Sequence, residues 1–124
     1  MNWTFSNELP IYAQLVEQIK AAIVTGQFSP GERLPSVRDM AAEAGVNPNT
    51  LQRAFSELER EGLVHSQRTS GRIVTEEQQN IDRCRETLAE KHIAAYLSAM
   101  ESLGFGGQEA ADMLHKYNSQ KGEE

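Results

Sequence analysis

Ile11, Leu15, Ile19 and Ile23 recur every four positions with Glu17, Gln18 and Lys20 between them. That period predicts a helix with one apolar face. Gly26 ends it, and Gln27 to Pro35, which holds Pro30-Gly31 and Pro35, predicts a turn and a short extended connection. Ser36 then stands three residues before Asp39, a capping-box variant that opens a second, short helix on the stripe Val37, Met40, Ala41. Gly45 closes it, because glycine adopts the left-handed backbone a sharp stop needs. Asn47-Pro48 is an N-cap and first-position pair for a third helix. Its stripe is Leu51, Ala54, Phe55 and Leu58, leaving Asn49, Thr50, Gln52, Arg53, Ser56 and Glu57 on other faces until Gly62.

Beyond Gly62 the period changes. Leu63 to Gln67 and Arg72 to Thr75 are short β-favouring runs around Arg68-Thr69-Ser70-Gly71, which has the composition of a hairpin turn. Helical spacing then returns on Ile81, Cys84, Leu88, Ala95, Tyr96, Met100 and Leu103, too long a stripe for the small domain before it. Glycines 104, 106 and 107 interrupt it, and Ala110, Met113, Leu114 and Tyr117 suggest one last helix before a polar tail. The fold class expected is mainly α: a winged helix-turn-helix of three helices plus a β-hairpin wing, then a two-helix C-terminal dimerisation segment. The domains would be residues 1–75 and 76–124, and the stripe from Ile81 to Leu103 would be the dimer seam.

Composition sharpens this picture. The chain has 124 residues, 39% hydrophobic and 24% charged, enough apolar content for a core and room for one modest domain with an appendage. No apolar run is long enough to span a membrane and no secretory leader opens the chain, so a cytoplasmic protein without membrane contact is expected. Cys84 is the single cysteine, and His65, His92 and His115 lack metal-ligand spacing. No disulfide, metal or cofactor is expected, and Cys84 reads as a small core residue.

The net charge of -6 at first argues against nucleic acid, which is bound by local Lys and Arg displacing counterions. The acidity is uneven. Residues 1–75 hold seven Lys or Arg and eight Asp or Glu, a balance of -1, whereas residues 76–124 hold five and ten, a balance of -5. Asn47 to Ser56 carries Arg53 and no acid, and Ser66 to Thr75 carries Arg68 and Arg72 and no acid.

A helix fits the major groove, and the residues at the N-terminal end of the second motif helix reach base edges there. Those residues are Asn47, Asn49, Thr50, Gln52 and Arg53. Asn and Gln pair with adenine, Thr meets a base edge or a phosphate, and Arg pairs with guanine or phosphate. The wing residues Arg68, Thr69, Ser70, Gly71 and Arg72 suit the minor groove or the backbone.

The stretch GQFSPGERLPS followed by VRDMAAEAGVNPNTLQRAFSELEREG resembles the DNA-binding domain of the GntR family of bacterial regulators. Gly26, Phe28, Pro30-Gly31, Leu34-Pro35-Ser36, Arg38, Ala41, Gly45-Val46, Thr50, Leu58 and Gly62 carry the match at fixed spacing. Pro10-Ile11-Tyr12 and Asn47-Pro48-Asn49-Thr50 resemble the YtrA subfamily, whose members have a short two-helix dimerisation segment. The resemblance adds Arg38, with Ser36 beside it, to the expected DNA contacts. It also implies a homodimeric repressor on a palindromic double-stranded operator, often of a transporter operon, with a small-molecule effector possible between subunits. Better-known subfamilies often carry arginine where this chain has Pro48 and Gln52, so their operator sequences do not transfer.

Other readings stand beside this one. Arg38 could be a solvated charge paired with Glu32 or Glu43, Asn47 only a helix cap, and Trp3, Phe5 and Tyr12 a cover over the junction of domain and helix. A winged-helix protein-interaction module is the alternative function, and the acidic C-terminal half its argument. An enzyme is not expected, for there is no glycine-rich phosphate loop, paired-carboxylate pocket or nucleophile and base.

Overall fold

The computed structural model describes residues 1–68 and 71–122. Its elements are α1 (Ile11–Val24), α2 (Val37–Ala44), α3 (Pro48–Arg60), β1 (Val64–Gln67), β2 (Gly71–Val74), α4 (Gln78–Ser102) and α5 (Gly107–Gly122). The chain forms two compact units, Met1–Arg85 and Glu86–Glu124.

In the first unit, α1 and α2 both pack against α3. Leu15, Ile19 and Ile23 of α1, Met40 and Ala41 of α2, and Leu51, Ala54, Phe55 and Leu58 of α3 form one buried cluster with Leu34, Leu63, Val64 and Val74. Each large side chain so buried contributes roughly 1.5–3 kcal/mol. Ile11, first of the predicted α1 stripe, is 37% exposed, whereas Tyr12 beside it packs on the core. Gln14 is buried instead. Its amide accepts from the Ser6 backbone N–H at 2.8 Å and donates to the Leu9 carbonyl at 2.8 Å, tying down the N-terminal segment. Trp3 and Phe5 of that segment stack on each other and pack on the core.

The expected caps are present. Ser36 Oγ accepts from the Asp39 N–H at 3.1 Å, and Gly45 ends α2 at φ 72°. β1 and β2 pair antiparallel, with Val64 opposite Val74 and Gln67 opposite Gly71. The extended connection before α2 joins this hairpin: Leu34 donates to the Arg72 carbonyl and Val74 donates to the Glu32 carbonyl, both at 2.9 Å.

The start of α4 belongs to this first unit. Ile81 is 3% exposed within the same core, and Asn80 Nδ2 donates to the Gly62 carbonyl at 3.1 Å. The first compact unit therefore takes in the opening residues of α4, up to Arg85. Cys84 also packs on this core, and burial pushes its thiol pKa up, with Lys20 pulling weakly the other way. That suits an inert structural thiol.

In the second unit α4 turns back into α5 through Gly104, at φ 93°. Glu109 accepts from the Gly106 N–H at 3.1 Å, and Tyr96 donates its hydroxyl to the Ala110 carbonyl at 2.7 Å. Ala110 is buried between the two helices, but Ile93, Leu97, Leu103, Met113, Leu114 and Tyr117 are exposed. Among the described residues no helix is long and apolar enough to cross a membrane.

Candidate nucleic-acid interface

The geometry of α3 follows from its two-sided sequence. Leu51, Ala54, Phe55 and Leu58 are buried to 1% exposure or less, which fixes the rotation of the helix. Asn49, Gln52, Arg53 and Ser56 consequently face outward, and Thr50 is half-buried at the margin. All five lie in the acid-free first part of the helix.

The carboxylates of α3 sit at its other end, and each is engaged. Glu57 pairs with Arg60, Glu59 with Arg72 at 2.7 Å, and Glu61, just past the end, with Lys20 at 2.7 Å. The uncompensated charge near the start of α3 is thus Arg53, and it adds to the positive end of the helix dipole, where an anion is favoured.

Asn47 and Ser36 serve as caps. Asn47 Oδ1 accepts from the Asn49 N–H at 2.8 Å, so its side chain holds the first turn of α3 in shape. Arg38, in the first turn of α2, is exposed. Neither acid considered as its partner takes it: Glu32 accepts from the Ser29 N–H, and Glu43 pairs with the amino terminus.

Of the wing residues, Arg68 and Gly71 are exposed, and Gly71 has φ 72°. Thr69 and Ser70 lie outside the described residues. Arg72 departs from the rest of the expected contact set. Its side chain turns inward, its guanidinium 4.9 Å from the centre of the Phe55 ring while its Nε–H is donated to Glu59. The same Glu59 oxygen accepts from Ser66 Oγ at 2.6 Å. The Ser66 hydroxyl, and after it Arg72, hold the Glu59 carboxyl below its ordinary pKa. This cluster fastens the wing to α3.

The predicted dimer residues divide as well. Ile81 is in the first unit's core and unavailable to a partner, since its α4 turn docks on that unit. Cys84 is largely committed there too. Leu88, Tyr96 and Met100 are half-buried, whereas Ala95 and Leu103 are exposed. Ile93 and Leu97 on α4, which lie between the predicted stripe positions, are exposed apolar residues that the stripe left out. Sequence reasoning also missed Glu59 as the wing's anchor and Tyr12, whose ring lies 3.7 Å from the Arg53 guanidinium.

Known proteins share the fold of this chain. The model of the bacterial regulatory proteins of the gntR family matches residues 11–74. The YtrA transcriptional repressor of Bacillus subtilis is 43% identical over 67 residues, covering 54% of this chain and 52% of that protein. A solved GntR family transcriptional regulator from Listeria monocytogenes is 34% identical with a TM-score of 0.82, covering 90% of this chain and 98% of that one. The AraR DNA-binding domain, solved in complex with operator ORX1, is 28% identical with a TM-score of 0.56, covering 60% of this chain and 96% of that one.

Proposed function

The chain belongs to the gntR family of bacterial regulatory proteins and is a DNA-binding transcription regulator; from that premise we propose that two copies act together as a repressor on a palindromic operator. The observation that carries the DNA-contact assignment is the outward, acid-free face of α3. Asn49 and Gln52 present amides suited to adenine, Thr50 a hydroxyl, and Arg53 a cation, on a helix whose rotation is locked by four buried side chains. Arg38 and Arg68 add exposed cations from α2 and the wing, and Gly71 opens the returning strand.

Duplication follows from number. One winged domain offers few base and phosphate contacts, whereas a two-fold dimer on a palindrome doubles them. The exposed apolar residues of α4 and α5 are the surface on which the copies would meet, and the word repressor comes from the YtrA relative. A gel shift on the chain's own upstream region, repeated across a salt series, tests the reading. Saturable binding that protects two symmetric half-sites and weakens steeply with salt is expected. A protein-interaction module would show no such affinity.

A further inference from the structure

Tyr12 sits one residue into α1, far in sequence from α3, and is partly buried against the core. Its ring also carries the Arg53 guanidinium, 3.7 Å from the centroid. Pro10, Ile11 and Tyr12 form one wall of an open notch of about 350 Å³, and Asn49, Thr50 and Arg53 form the other. The notch is lined by an arginine that no carboxylate among the described residues pairs with.

Stacking is compatible with duty toward an anion. A ring attracts the flat face of a guanidinium, and the five N–H donors point outward in its plane. An arginine lying on a ring therefore keeps its donors free while losing much of its rotational freedom beforehand. A carboxylate would do the opposite, occupying the donors and cancelling the charge, as happens to Arg72 and Arg60 elsewhere in this unit.

We propose that Tyr12 is a positioning residue of the DNA interface: its ring holds Arg53 extended along the notch so that the guanidinium meets a backbone phosphate of the duplex. This rests on the reading that the face of α3 binds DNA, and extends it from the helix to a residue of α1. Because a phosphate carries no sequence, the contribution is equal on every duplex.

The test uses the full chain, a labelled mixed-sequence DNA duplex and fluorescence anisotropy over a salt series, with thermal unfolding of each variant. Tyr12→Leu should weaken binding roughly three- to fivefold, while Tyr12→Phe, which keeps the ring, binds like the parent. Arg53→Gln should lower the salt slope by about one, and adding Tyr12→Leu to it should cost nothing more. The proposal is overturned by full affinity in Tyr12→Leu, by a Tyr12→Phe as weak as Tyr12→Leu, or by a Tyr12→Leu loss that persists in the Arg53→Gln background. That last result is what simple destabilisation would give. If the parent chain itself shows no salt-dependent binding, the DNA reading of α3 fails; if the parent binds and the Tyr12 effects are additive, only the role of Tyr12 fails.

Discussion

Arg72 of β2 donates its Nε–H to the Glu59 carboxylate of α3 at 2.7 Å, so the wing and the helix proposed to read DNA are joined by an ion pair partly shielded from solvent. The carboxyl is held below its ordinary pKa of 4.5, first by the Ser66 hydroxyl and then by Arg72. A depressed folded-state pKa stabilises the fold above the unfolded value and loses that contribution as the pH falls through the folded one. Glu59→Gln should therefore cost about 1 kcal/mol at neutral pH. Urea unfolding should show the gap between variant and parent closing below pH 4.5. A gap that holds at acid pH would mean that shape, not charge, secures the wing.

The exposed cation and amide of the motif predict a different pattern. Arg38→Ala and Gln52→Ala remove no buried atom, so unfolding midpoints should stay close to the parent. Each should weaken operator binding by about 1–3 kcal/mol, with Gln52→Ala also relaxing preference at its base pair. Footprints identical to the parent's from both would move the DNA contact off this face.

Much of this was legible in the residues, for reasons that differ by element. Ser36, Gly45 and Asn47-Pro48 act on their own neighbours, so the helix limits they imply appear where spacing puts them. The stripe Leu51, Ala54, Phe55, Leu58 is unambiguous because one face must be dry. What could not be read were contacts across long loops. The apolar spacing of α4 runs unbroken through Ile81 and Cys84, and nothing local says that these two face the first unit's core while Leu97 does not. Arg72 looked like a free wing cation because its partner, Glu59, lies thirteen residues earlier on another element. Tyr12 and Arg53 are farther apart still.

Ile81 and Leu97 thus occupy one helix but belong to different compact units. Ile81, 3% exposed, should behave as a core residue of the first unit: Ile81→Ala leaves a cavity and costs about 2–4 kcal/mol. Calorimetry should show the loss, and sedimentation should show an unchanged mass. A change of mass in Ile81→Ala with stability intact would return this residue to the dimer seam.

The opposite signature belongs to the second unit. Leu97 and Leu114 are 39% and 51% exposed, and Ile93, Leu103, Met113 and Tyr117 of the same unit are exposed as well; exposed apolar side chains that cluster mark surfaces that meet a partner. Both leucine side chains are only partly covered within one copy, so a carboxylate at either place can reach water in the monomer, and Leu97→Glu with Leu114→Glu should leave the unfolding of Met1–Arg85 nearly unaltered. Across a two-fold seam the same charges would be brought near their own copies and stripped of water, which is costly without a partner. Sedimentation should accordingly give half the parent mass. Operator affinity should fall by at least tenfold, since each winged domain must then bind alone. A variant that keeps the parent's mass would show that the copies, if they pair, meet elsewhere.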